Sequence, residues 1–195
     1  ELYDPGTNTW TTQNPMTNAR ALNTATLLEN GKVLLVGGSG NSGILNSVEL
    51  YDPNTNTWTA QSSMTDARAG QTSTLLANGK VLIVGGSINT GVLNSVELYD
   101  PNTNIWSTQN PMTDARFNHT ATLLPNGKVL VAGGSLNPGY LNSVELYDPN
   151  TNTWTTQNPM TDTKFFHTAT LLANGKVLIS GGGGAAGILW FWELL

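Results

Sequence analysis

An all-β fold built from repeated four-stranded antiparallel sheets is what this sequence predicts, and three observations predict it. The pentapeptide Glu-Leu-Tyr-Asp-Pro starts at Glu1, Glu49, Glu97 and Glu145, a period of 48 residues. Each period holds short runs of Thr, Val, Leu and Ile separated by Asn-Gly, Gly-Gly and Asp-Pro turn signals. No stretch sustains the 3.6-residue apolar period of a helix. A lone sheet of four short strands cannot bury both faces, whereas sheets fanned about an axis bury each against the next. Four strands in a period of about 40–50 residues is the signature of such a blade, so a β-propeller follows.

The second full period shows each element. Thr72-Ser73-Thr74-Leu75-Leu76 is the first strand; its small residues suit the crowded position nearest the axis. Asn78-Gly79 follows, a two-residue hairpin signal in which both central residues would take positive φ. Lys80 to Val84 is the apolar second strand, ending at Gly85-Gly86. A loop from Ser87 to Leu93 leads to the third strand, Ser95 to Tyr99. Asp100-Pro101-Asn102-Thr103-Asn104 is a turn by composition, and Ile105-Trp106-Ser107 is the short fourth strand. Tyr, Trp and Met recur once per period, with Trp10, Trp58, Trp106 and Trp154 in one register, and are the expected filling between blades.

An apolar strand ending in Gly-Gly, then Tyr-Asp-Pro, then Trp, then Met-x-x-x-Arg resembles the kelch repeat. Here one instance runs Val81 to Gly86, Tyr99-Asp100-Pro101, Trp106, Met112 and Arg116. The resemblance spans residues 1–195 as one propeller domain of four blade-equivalents, with half-blades at both ends. It departs at the C-terminus, where Trp190-Phe191-Trp192 replaces Asn142-Ser143-Val144 of the preceding period. By analogy with kelch blades the chain starts in a third strand. It is expected to form either an open arc, completed by further chain or a second copy, or a small closed ring. Kelch-like blades of this style resemble those of large surface proteins, which implies an extracellular setting.

Charge and composition narrow the function. The net charge is −5 with 11% charged residues, and no basic face is evident, so nucleic acid is not an expected partner. There is no Cys, which removes disulfides, thiolate metal sites and Cys nucleophiles. The most apolar run, 185–195, is about half the length of a membrane helix and contains Glu193, so no membrane span is expected. Residue 1 is Glu, and the reading is that the chain begins inside something longer or has been processed.

His119 and His167 are one period apart, at the place held by Asn23 and Gln71, and are read as hydrogen-bonding scaffold rather than a metal pair. Asp52-x-Asn54-x-Asn56 spaces oxygens as some Ca²⁺ loops do, but lacks their terminal Glu and central Gly, so it reads as an Asx turn. The segment from Asp4 to Trp10 resembles a sialidase Asp-box with one residue too many. A galactose-oxidase-like copper centre needs a Tyr–Cys crosslink that this chain cannot form. Arg20, Arg68, Arg116 and Lys164 occupy one equivalent position, expected either to pair with a recurring acid or to meet a ligand. No catalytic residue, metal or cofactor is assigned.

The repeats differ from one another in two places: the loop after Gly-Gly and the entry to the first strand. In an up-and-down blade both emerge at one end, so the differences map to one face of the disc. Loops on a rigid scaffold are where binding chemistry is placed. The expected ligand face therefore comprises Arg20, Arg68, Arg116, Phe117, His119, Tyr140, Lys164, Phe165, Phe166 and His167. The function read from this is a non-catalytic scaffold presenting that face to a protein or glycan partner. The alternatives are a self-assembly element that pairs chain to chain, giving a homo-oligomer, and a catalytically silent piece of a larger secreted enzyme.

Overall fold

The computed structural model describes residues 1–185 and, beyond them, the backbone of Gly187–Ile188 and Trp192–Leu194. Every regular element among the described residues is a β-strand. Three complete blades repeat one plan. The second consists of Thr72–Leu75, Val81–Val84, Val96–Asp100 and Ile105–Gln109, hydrogen-bonded in that order and all antiparallel. The first has its strands at Thr24–Leu27, Val33–Val36, Val48–Asp52 and Thr57–Gln61, and the third at Thr120–Leu123, Val129–Ala132, Val144–Asp148 and Thr153–Gln157.

The turns explain why these strands pair in this register. Between first and second strands only Gly79 has positive φ (77°), and Asn78 does not. Gly79 N–H donates to Leu76 O (3.0 Å), and Leu76 N–H to Lys80 O (2.8 Å). The connection is thus a type I turn closed by a left-handed glycine, not the two-residue turn expected from Asn78-Gly79. The Asn78 side chain takes the Lys80 N–H (3.1 Å), which favours this longer form. Between third and fourth strands Asp52 Oδ1 accepts the Asn54 N–H (2.9 Å) and Asn56 is left-handed (φ 54°). Asp52 Oδ2 meets Lys32 Nζ at 3.1 Å. The Asn54 N–H and then Lys32 hold the Asp52 carboxyl below its usual range. These oxygens are engaged as an Asx turn, as expected.

Three hydrophobic seams run between successive blades. Leu34, Val36, Met64, Val81, Ile83 and Tyr99 fill the first, and Leu82, Val84, Met112, Val129, Val131 and Tyr147 the second. The third contains, among the described residues, Ala132, Val144, Met160, Val177 and Ile179. Tyr99 and Tyr147 are each 1% exposed. Each lies against its blade's Trp, with ring centroids 4.8 and 4.9 Å apart for Tyr99–Trp106 and Tyr147–Trp154. The Trp rings are half-buried at the rim, not enclosed. Trp106 Nε1 donates to Ser62 O in the preceding blade (2.8 Å), and the Tyr99 hydroxyl to Gln61 Oε1 (3.2 Å). The aromatic pair is therefore both wedge and latch.

The two ends differ. Leu2–Asp4 and Thr9–Thr11 form a separate two-stranded hairpin. The last sheet consists of Thr168–Leu171, Val177–Ser180 and Trp192–Leu194. The place beside Val177–Ser180 is thus taken by the chain's own tail, so the N-terminal strand does not close the ring there. Trp190, Phe191 and Leu195 lie outside the described residues.

Candidate binding face

The loop after Gly-Gly folds into a small hairpin in every period, for example Ser87–Ile88 with Gly91–Val92 and Ser135–Leu136 with Gly139–Tyr140. The entry to the first strand adds to its edge: Phe117 bridges Ser135, and Phe165 bridges Gly183. The two most variable segments of the repeat are thus hydrogen-bonded to one another on one face.

Beneath this face lie the basic residues. Arg68 and Arg116 are 0% exposed and Lys164 is 1% exposed. Arg68 Nη2 pairs with Glu97 Oε1 (2.8 Å) while Nη1 donates to Gly85 O (2.7 Å) and Ser95 O (3.1 Å). Glu97 Oε2 in turn accepts the Thr65 N–H (2.8 Å). Arg116 repeats the arrangement with Glu145, and Arg20 pairs with Glu49. Burial lowers the Arg68 and Arg116 pKa values and the neighbouring glutamates oppose the shift. Burial raises the Glu49 pKa, but the Thr17 N–H and Arg20 prevail and hold it below the usual range. Arg20, Arg68, Arg116 and Lys164, expected on the exposed loop face, are instead buried beneath it. Each arginine places its Nη donors on the blade's own carbonyls and acid, while its Nε has no partner among the described residues, and Lys164 is buried at the equivalent position.

His119 and His167 are also interior, at 6% and 7% exposure. Their Nε2 atoms lie 2.9 Å from Thr72 Oγ1 and Thr120 Oγ1 of the preceding blade. Gln71, in the same slot, donates to Val36 O (2.8 Å). Burial, then the positive charge of Arg116, pushes His119 well below the usual imidazole value. Burial, then Lys164, brings His167 down to about 4. Both rings are neutral at pH 7 and join blades.

The aromatic members do reach the surface together. Phe117, Tyr140, Phe165 and Phe166 line one groove of ≈ 680 Å³ that also takes in the Ser87–Val92 hairpin of the preceding blade. Tyr140 and Phe165 stack with centroids 4.4 Å apart and planes 8° from parallel. Phe166 follows at 5.5 Å from Phe165 and is 61% exposed. Its φ is 52°, a left-handed value that costs a bulky residue about 1–2 kcal/mol. The same position is left-handed in all four periods, at Leu22, Gly70, Asn118 and Phe166. A ladder holds it there: Gly70 N–H donates to Leu22 O, Asn118 N–H to Gly70 O and Phe166 N–H to Asn118 O (3.0, 2.8 and 3.1 Å). The fold thus forces a large ring outward at a place where Asn or Gly would sit without strain. Asn89 and Asn137 also line this groove, and sequence reading did not single them out. Their segments stood out by variability, but their meeting depends on the rotation between blades.

Comparison with known proteins agrees with this geometry. A solved structure described as the structure of YjhT superposes with a TM-score of 0.78 at 20% identity, over 90% of this chain. The chain spans 63% of that protein's length, and the likeness concerns the fold. No curated protein matches this sequence. The sequence model of the Attractin/LZTR1 β-propeller matches residues 3–186. With kelch-type blades observed and nearly the whole chain matched, the protein belongs to the Attractin/LZTR1 β-propeller family.

Proposed function

We propose that this propeller is a non-catalytic binding module that docks its partner in the groove formed by Phe117, Tyr140, Phe165 and Phe166. One observation carries the reading: four aromatic rings converge where the blades differ most, and one of them is held outward against its backbone preference. Beneath the face Arg116 is held on Glu145 and His167 lies against Thr120. A photo-crosslinking residue placed at Tyr140 should capture the partner, while one placed at Asn78, in the turn at the opposite end of the blade, should not. Equal capture from both positions would refute the assignment.

A second reading has its own support. Tyr3 and Trp10 of the N-terminal hairpin are 43% and 65% exposed, although in the complete blades the equivalent Tyr is buried and the Trp half-buried. A second copy that covered them would make the protein a self-assembly element. In that case a Tyr3→Ser, Trp10→Ser variant would sediment as a smaller species than the parent chain.

A further inference from the structure

Resting on the reading of the aromatic groove as the docking site, we propose that its occupant is an uncharged oligosaccharide. The groove wall contains no Asp, Glu, Lys or Arg, in a protein whose net charge is −5. An ionic ligand would find no counter-charge on the wall to offset the loss of its hydration. The wall instead alternates two chemistries. Tyr140 and Phe166 are 42% and 61% exposed and offer flat apolar surface. Asn89, Asn118 and Asn137 offer amides. Among the described residues none of those three side chains has a hydrogen-bond partner.

A sugar ring matches both features. Its axial C–H face is apolar and packs on an aromatic ring, while its equatorial hydroxyls both donate and accept. An Asn side chain supplies a carbonyl and two N–H groups and so serves either need. The rings are set in advance, Tyr140 by its stack on Phe165 and Phe166 by the ladder from Asn118, so binding orders little of the protein. The groove, at ≈ 680 Å³, is of the size that holds a small ligand, and segments of three successive blades line it.

The test is isothermal titration of the intact chain with neutral oligosaccharides: cellohexaose, xylohexaose, mannohexaose and chitohexaose. The same titrations are run on Phe166→Ala, Tyr140→Ala and Asn137→Ala, with thermal melting to confirm folding. Binding by at least one sugar is expected, with a Kd on the order of 1 mM or tighter, weakened about tenfold by either aromatic substitution. Phe166→Gly, which relieves the left-handed backbone while removing the ring, should weaken binding as Phe166→Ala does yet melt no lower than the parent. Absence of binding by all four sugars overturns the saccharide assignment. If the crosslinking at Tyr140 then returns a protein partner, the groove stands as the site and its occupant is a peptide surface. If a sugar binds and none of the three substitutions weakens it, the groove itself is the wrong site.

Discussion

The same repeat occurs in this molecule with and without a blade beneath it, and the two settings behave differently. In the second blade, Glu97 and Tyr99 are 2% and 1% exposed. In the N-terminal hairpin the equivalent Glu1 is exposed and Tyr3 is 43% exposed, although its Trp10 partner keeps nearly the same ring geometry. The glycine pair shows the same split. A Cβ on Gly133 would meet Lys164 O of the next blade at 2.5 Å, whereas one on Gly181 meets nothing within 4 Å among the described residues. Local sequence therefore forms the hairpin and its aromatic stack, but the neighbour provides burial. That is the behaviour of a quasi-one-dimensional repeat, whose stability resides largely at its interfaces.

Paired substitutions can break or sharpen this contrast. The largest effect is expected at the acid under the face. Glu145→Ala leaves Arg116 buried without its partner and should cost about 3–5 kcal/mol in denaturant unfolding, while Glu1→Ala should stay within about 0.5 kcal/mol. Next, Tyr99→Ala should cost roughly 3 kcal/mol, and Tyr3→Ala about 1 kcal/mol or less. Equal costs at the two tyrosines would mean that the stack inside one blade, not the seam, provides the stability.

Acid should weaken the seams in a defined window. His167 is neutral in the fold, with its pKa brought from 6.5 to about 4, and His119 is shifted in the same direction. Between those values the unfolded chain binds protons that the folded chain does not, so stability falls as pH drops from about 6.5 toward 4. For His167 the loss approaches about 3 kcal/mol as an upper bound. His167→Gln, which installs the residue type of Gln71, should flatten melting temperature against pH in that window. An unchanged slope in a His119→Gln, His167→Gln variant would assign the acid sensitivity elsewhere. The smallest paired effect is at glycine: Gly133→Ala should cost about 2 kcal/mol and Gly181→Ala about 1 kcal/mol, the latter from backbone strain alone.

Much of this was legible in the sequence because period and turn chemistry are local. The strands of the second blade fall within two residues of the boundaries read from Thr72, Lys80, Ser95 and Ile105. Pairing of the repeated Arg with a repeated acid was an expected alternative, and Arg68–Glu97 realises it. Its complete burial was not legible, since burial is set by the neighbouring blade and charge ordinarily argues for the surface. The turn at Asn78-Gly79 was misjudged because the Asn side chain, not its backbone, completes it. The left-handed ladder through Leu22, Gly70, Asn118 and Phe166 had no signal in single residues, because Leu and Phe are poor left-handed formers and only the fold imposes that conformation.

Hydrogen exchange read by mass spectrometry tests the central claim most directly, by comparing the segment 97–109 with its repeat equivalent 1–13 in one sample. The account predicts that amides of Val96–Asp100 and Ile105–Gln109 exchange only through opening of a seam, at least about a hundredfold more slowly than those of Leu2–Asp4 and Thr9–Thr11. Matching protection in the two segments would contradict it, since closely similar sequence would then confer equal stability without a blade underneath.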